Sequence, residues 1–195
     1  LPIEVITPDD PNTKVGPRGA CKAGYVLPNR SMPYTIMFEN KPTASAPARE
    51  VVVTDRLDGS KLDLATFTLG PVWFGNRVIT PPPGLRAWSG SVDLRPAKPV
   101  IVTVDAALDG SGLATWHFKT IDPGTQLFPE DPLAGFLPAN TAPPIGEGAV
   151  TFSVAQRRYL KTGTKIENGA RIVFDKNEAI ETPTFVNTID HARPK

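Results

Sequence analysis

Between Val100 and Thr120 the chain holds two alternating runs separated by Asp109-Gly110-Ser111-Gly112. A side-chain period of two sends successive residues to opposite faces of a pleated strand. Four turn-forming residues between two such runs predict a hairpin. In the returning run, Trp116 and Phe118 share the face expected to pack into a core, and His117 lies on the other. The same period marks Tyr34–Glu39, where Tyr34, Ile36 and Phe38 oppose Thr35, Met37 and Glu39. Short β-branched or alternating runs at Glu50–Thr54, Ala149–Val154 and Lys165–Phe174 predict further strands, and 182–189 a last edge strand. Leu62–Leu69 admits helical and extended readings, of which a turn followed by a strand over Thr66–Leu69 is preferred.

No helical pattern of 10–15 residues separates these strands, which argues against a doubly wound α/β fold. The fold class is therefore all-β: a β-sandwich, its sheets packed in alignment, elaborated by inserted hairpins and a long Pro/Gly-rich loop. The core is expected to contain Ile36, Phe38, Val52, Trp116, Phe118, Phe152, Ile172 and Phe174. The 22 prolines and 16 glycines suit such a fold, since a missing backbone donor costs little at turns and sheet edges. Residues 1–195 are read as one elaborated sandwich, a module of a larger protein. Within it, 1–24 form an irregular lead-in, 84–120 inserted hairpins and 121–148 a long ordered connection. Leu127, Phe128, Leu133, Phe136 and Leu137 make that connection too apolar for a linker, so it is expected to lie as a lid over one end of the core.

Charge narrows the function. Lys plus Arg number 21 against 20 Asp plus Glu, leaving +1, and no concentrated basic face of the kind nucleic-acid binding needs. The single cysteine, Cys21, excludes an intrachain disulfide framework and a thiolate metal cluster. No apolar run approaches the roughly 18 residues that cross a bilayer, so no membrane insertion is expected of this segment.

Catalytic candidates are absent from this reading. Hydrolysis needs a nucleophile beside a base, or paired carboxylates, but no Gly-x-Ser-x-Gly elbow is present and His117 is read as a surface or hydrogen-bonded histidine. Two acidic turns offer clustered oxygens for a structural calcium ion: Asp9, Asp10 and Asn12, and Asp175 with Asn177. Ordinary Asx-turns explain both clusters equally well. Trp73, Phe74 and Trp88, interspersed with Arg77 and Arg86, are candidates for an exposed aromatic platform binding extracellular glycan or protein.

Three segments carry a resemblance: Tyr34 to Asn40, Val51-Val52-Val53-Thr54-Asp55-Arg56-Leu57, and Gly163-Thr164-Lys165-Ile166-Glu167-Asn168-Gly169-Ala170. They resemble the immunoglobulin-like conserved-repeat modules called domain of unknown function eleven. Further segments, among them Asp131 to Pro138, Gly146 to Val154 and Asn187 to Asp190, resemble a larger relative found in giant bacterial secreted or surface proteins. The resemblance implies a non-catalytic stalk or adhesion module, secreted or at the bacterial cell surface. Its implied partners are neighbouring modules of the same polypeptide.

Overall fold

The computed structural model describes residues 11–192, and every described strand belongs to one of three sheets. The first sheet contains β1 (Thr13–Val15), β3 (Ser31–Glu39), β10 (Glu147–Gln156), β5 (Leu62–Phe74) and β6 (Arg77–Ile79), side by side in that order. The second has six strands in the order β13 (Ile180–Glu181), β12 (Ala170–Phe174), β4 (Glu50–Arg56), β9 (Leu113–Ile121), β8 (Ile101–Leu108) and β7 (Ala87–Asp93). A small third sheet joins β11 (Lys165–Asn168), β14 (Phe185–Ile189) and β2 (Tyr25–Val26).

Alternation decides which residues meet between the first two sheets. Phe38 packs against Phe118 with ring centroids 5.4 Å apart, and Phe67 against Trp116 at 6.5 Å. Phe74 approaches Phe118 at 6.2 Å. Seven of the eight expected core residues are buried; Val52 is the exception. In β4 the inward phase belongs to Val51, Val53 and Asp55, so Val52 faces the half-exposed side.

The predicted hairpin joins β8 to β9, with Asp109 Oδ1 accepting the Ser111 and Leu113 backbone N–H groups at 2.8 and 2.9 Å. Gly112, at φ 84°, supplies the left-handed residue this turn requires. His117 lies on the outer face of β9 and meets Glu50 at 2.5 Å. The segment read ambiguously at Leu62–Leu69 is the start of the 13-residue strand β5, which carries register shifts against β10. The 84–120 block is not appended to the sandwich: β9 sits between β4 and β8, inside the second sheet.

Within the long connection, Phe136 and Leu137 are buried and Phe136 lies on Phe74 with centroids 5.1 Å apart. Leu127 and Leu133 are exposed, so only the second half of the expected lid covers the core. The run Lys165–Phe174, expected as one strand, breaks at Gly169 into β11 and β12, which belong to different sheets. Thr182 holds the break: its hydroxyl accepts the Ala170 N–H at 2.9 Å, and its own N–H donates to the Ala170 carbonyl at 2.8 Å.

Candidate functional site

The break at Gly169 leaves Asn168 buried at the end of β11, next to a cluster that local sequence reading passed over. Lys14, in β1 of the first sheet, and Asp55, in β4 of the second, form a fully buried ion pair and hydrogen bond across the sandwich. The Lys14 ammonium also lies 4.7 Å from the Tyr34 ring centroid and 5.2 Å from that of Phe152, two rings stacked on each other. Asn168 is drawn to the same place because Ala170, two residues on, is the register partner of Asp55. Its amide lies against the Asp55 carboxyl, where, with Lys14, it opposes the rise that burial imposes on that group's pKa. Yet neither Asn168 amide atom, nor Asp55 Oδ1, completes an aligned hydrogen bond.

Electrostatics here is governed by burial. Desolvation brings the Lys14 ammonium down to about 8, against the opposing charge and hydrogen bond of Asp55. Desolvation likewise raises the Asp55 carboxyl, against Lys14 and the Asn168 amide. The Tyr34 phenol is raised by burial and then by the Asp55 charge. Both members of the ion pair are thus pushed toward their neutral forms, an amine and a carboxylic acid. A buried ion pair is weak evidence for stability, because taking both charges out of water offsets most of their attraction.

The residues singled out from the sequence lie elsewhere. Phe74 points into the core and is not part of an exposed surface; neighbouring strand residues face opposite ways, so Trp73 and Phe74 cannot share a platform. Phe74 and Arg77 do meet along a cleft of about 370 Å³, lined also by Leu94, Lys98, Phe136 and Ile145. Lys98 donates to the Phe136 carbonyl at 2.8 Å there, and burial lowers its pKa. Trp73 lies instead on a second hollow with Met37 and Phe38. Trp88, half-buried, and exposed Arg86 belong to the β7 edge of the second sheet.

Asp9 and Asp10 lie outside the described residues. Asn12 is buried and accepts the Glu39 N–H at 3.1 Å. Asp175, at φ 51°, accepts the Arg49 and Glu50 N–H groups through Oδ1, both at 3.0 Å, while Asn177 is exposed. Among the described residues no three or more His, Cys, Asp or Glu side chains are grouped to hold a metal. Of the oxygens read as calcium ligands, those of Asn12 and Asp175 accept backbone N–H groups.

Residues 10–72 and 134–188, more than half of the chain, match the family described as Domain of unknown function (DUF7619). The chain belongs to that family. No curated protein matches it. Among solved structures it is similar to the N-terminal domain of the Streptococcus gordonii adhesin Sgo0707, with TM-score 0.52 and 11% identity, covering 93% of this chain and 33% of that one. It is also similar to the group B streptococcus pilus 2b backbone protein, with TM-score 0.50 and 14% identity, covering 90% and 56%. The C-terminal domain of the Streptococcus pyogenes antigen I/II-family protein AspA aligns more loosely, at TM-score 0.46 and 17% identity over 85% and 41%. The chain thus spans between a third and somewhat over half of these structures. The fold of this DUF7619 chain is thus similar to folds found in a bacterial adhesin and a pilus backbone protein.

Proposed function

We propose that this DUF7619 chain is a non-catalytic, load-bearing module of a large bacterial protein, secreted or held at the cell surface. Its partners are the neighbouring modules of the same polypeptide. One observation carries this reading: an early segment is clasped to the last strand in parallel. β2 pairs with β14 in that sense, and the Asp190 N–H donates to the Val26 carbonyl at 2.9 Å. The buried Asn187 amide donates to the Pro17 and Gly24 carbonyls at 3.0 and 3.1 Å, and the Thr188 hydroxyl to Ala23 at 3.0 Å. Tension drawing the chain out beyond β14 slides that strand lengthwise along β2, so these bonds are loaded together instead of opening one at a time. The adhesin and pilin folds it is similar to support this reading, and the sequence resemblance to the conserved-repeat modules of giant surface proteins is in keeping with it.

Single-molecule pulling from the two ends tests it. Asn187→Ala should lower the unfolding force, and an unchanged force would reject the clasp as the load-bearing element. The parental reading frame should encode an export signal and further β-rich domains; a short cytoplasmic frame would remove the setting.

An adhesion role is the second reading, favoured by the cleft that joins apolar Phe74, Phe136 and Ile145 to the Arg77 and Lys98 cations. Glycan and extracellular-matrix protein arrays probed with the chain and with Arg77→Glu test it. A signal that the variant does not diminish would place binding elsewhere.

A further inference from the structure

We propose that Lys14 and Asn168 become joined by an intramolecular amide bond, formed by the folded chain itself with Asp55 as the proton carrier. The components a transamidation needs are buried together: a primary amine, a carboxamide and a carboxyl group that contacts the amine. The surroundings favour the reactive forms. Desolvation brings Lys14 down to about 8, so the nucleophilic amine becomes accessible near neutrality. The raised Asp55 carboxyl retains a proton with which to polarise the Asn168 carbonyl. Asn168 Nδ2 and Oδ1 and Asp55 Oδ1, left without aligned partners, are buried polar atoms that an ordinary ion pair does not account for. The Tyr34 and Phe152 rings wall the amine from water, which would otherwise solvate it and compete for the carbonyl.

The step balances without oxidant or cofactor. Lys14 Nζ attacks Asn168 Cγ, and a bond forms between them. The Asp55 carboxyl stabilises the developing oxyanion by hydrogen bonding, takes a proton from Nζ and delivers one to Nδ2. The Cγ–Nδ2 bond then breaks and ammonia leaves. Gathering both groups at Asp55 replaces a bimolecular encounter, an advantage worth effective molarities on the order of 10⁵–10⁸ M in well-oriented cases. The product ties β1 of the first sheet to β11 of the third and closes a ring over most of the sandwich, which restricts the unfolded chain.

This inference deepens the load-bearing reading in purpose only; its test is independent of that reading. The intact mass of the purified chain should be lower than the sequence mass by one ammonia, and should stay so in strong denaturant. Tandem mass spectrometry of a protease digest should find the Lys14 and Asn168 peptides joined. Asn168→Ala and Asp55→Asn should show their full sequence masses while circular dichroism retains the sheet spectrum. A wild-type chain at full sequence mass leaves a plain ion pair and overturns the proposal, whether or not the pulling experiment succeeds. Loss of one water, with Lys14 joined to Asp55, overturns it too, as does a gain in mass from deamidation at Asn168-Gly169. An ammonia loss that persists in Asp55→Asn removes Asp55 from the reaction. Because the wild-type mass decides the bond, a variant that fails to fold does not shield the proposal.

Discussion

Trp116 concentrates the energetics of the core in one side chain. Its indole is fully buried in the second sheet, 5.5 Å from the Phe152 ring across the interface and 6.5 Å from Phe67. Trp116→Ala is expected to cost about 3–5 kcal/mol in chemical denaturation, since the surrounding rings cannot collapse fully into the space. β4 offers a sharper test of facing. Val53→Ala removes two buried methyl-sized groups and should cost about 2 kcal/mol, while Val52→Ala on the half-exposed face should cost clearly less. Equal losses would mean that the strand is out of register. At Asp175 the acceptor role predicts that Asp175→Ala lowers the melting temperature equally in excess calcium and in chelator, with magnesium as the ionic control. A calcium-dependent difference would restore a cation to that turn.

At the scale of the element, the clasp between β2 and β14 depends on side chains more than on strand length, because β2 contributes only two residues. Asn187→Ala leaves the Pro17 and Gly24 carbonyls without its amide donor and should cost about 1–3 kcal/mol. Hydrogen exchange at the Thr188 and Asp190 amides, which bond to Gly24 and Val26, should accelerate with it. The split of β11 from β12 is the other decisive element. A straight strand through Gly169 would keep Ile166 and Asn168 in one sheet with Ile172; the break gives Asn168 to the third sheet while its neighbour Ala170 stays beside Asp55.

Across the whole molecule, the sheets are connected by aromatic packing at the middle and by the Lys14–Asp55 contact toward one side. That contact makes stability depend on pH with a definable sign when the amide is blocked, as in Asn168→Ala. The Lys14 pKa is about 8 folded against 10.5 for the ordinary group, so between those values the unfolded chain binds more protons. Stability attributable to Lys14 therefore rises with pH from about 8 toward 10.5, and below that window the cost of burying the charge is fully present. In the wild type the same slope should vanish, because an amide nitrogen does not titrate there. Denaturant midpoints measured across that window in both proteins check this, and identical slopes would contradict the bond.

Period-two alternation was enough to determine the all-β class, the hairpin at Asp109–Gly112, the inward face of β9 and the outward place of His117, because those features arise within a strand or between adjacent ones. Even the polar members of the buried cluster left a local trace: Asp55 is in phase with inward Val51 and Val53, and Asn168 with Ile166. What alternation cannot express is which strands meet. Lys14 and Asn168 are more than 150 residues apart in sequence, and only the pairing of β12 with β4 and the packing of two sheets bring their side chains to Asp55. Alternation itself parts Trp73 from Phe74, adjacent in the chain, but which phase of a strand faces inward is decided by packing, and so Val52 yields the core to Val51 and Val53. Local chemistry determined the strands; long-range pairing and burial decided which of their polar groups are removed from water together, and therefore where this protein can do chemistry on itself.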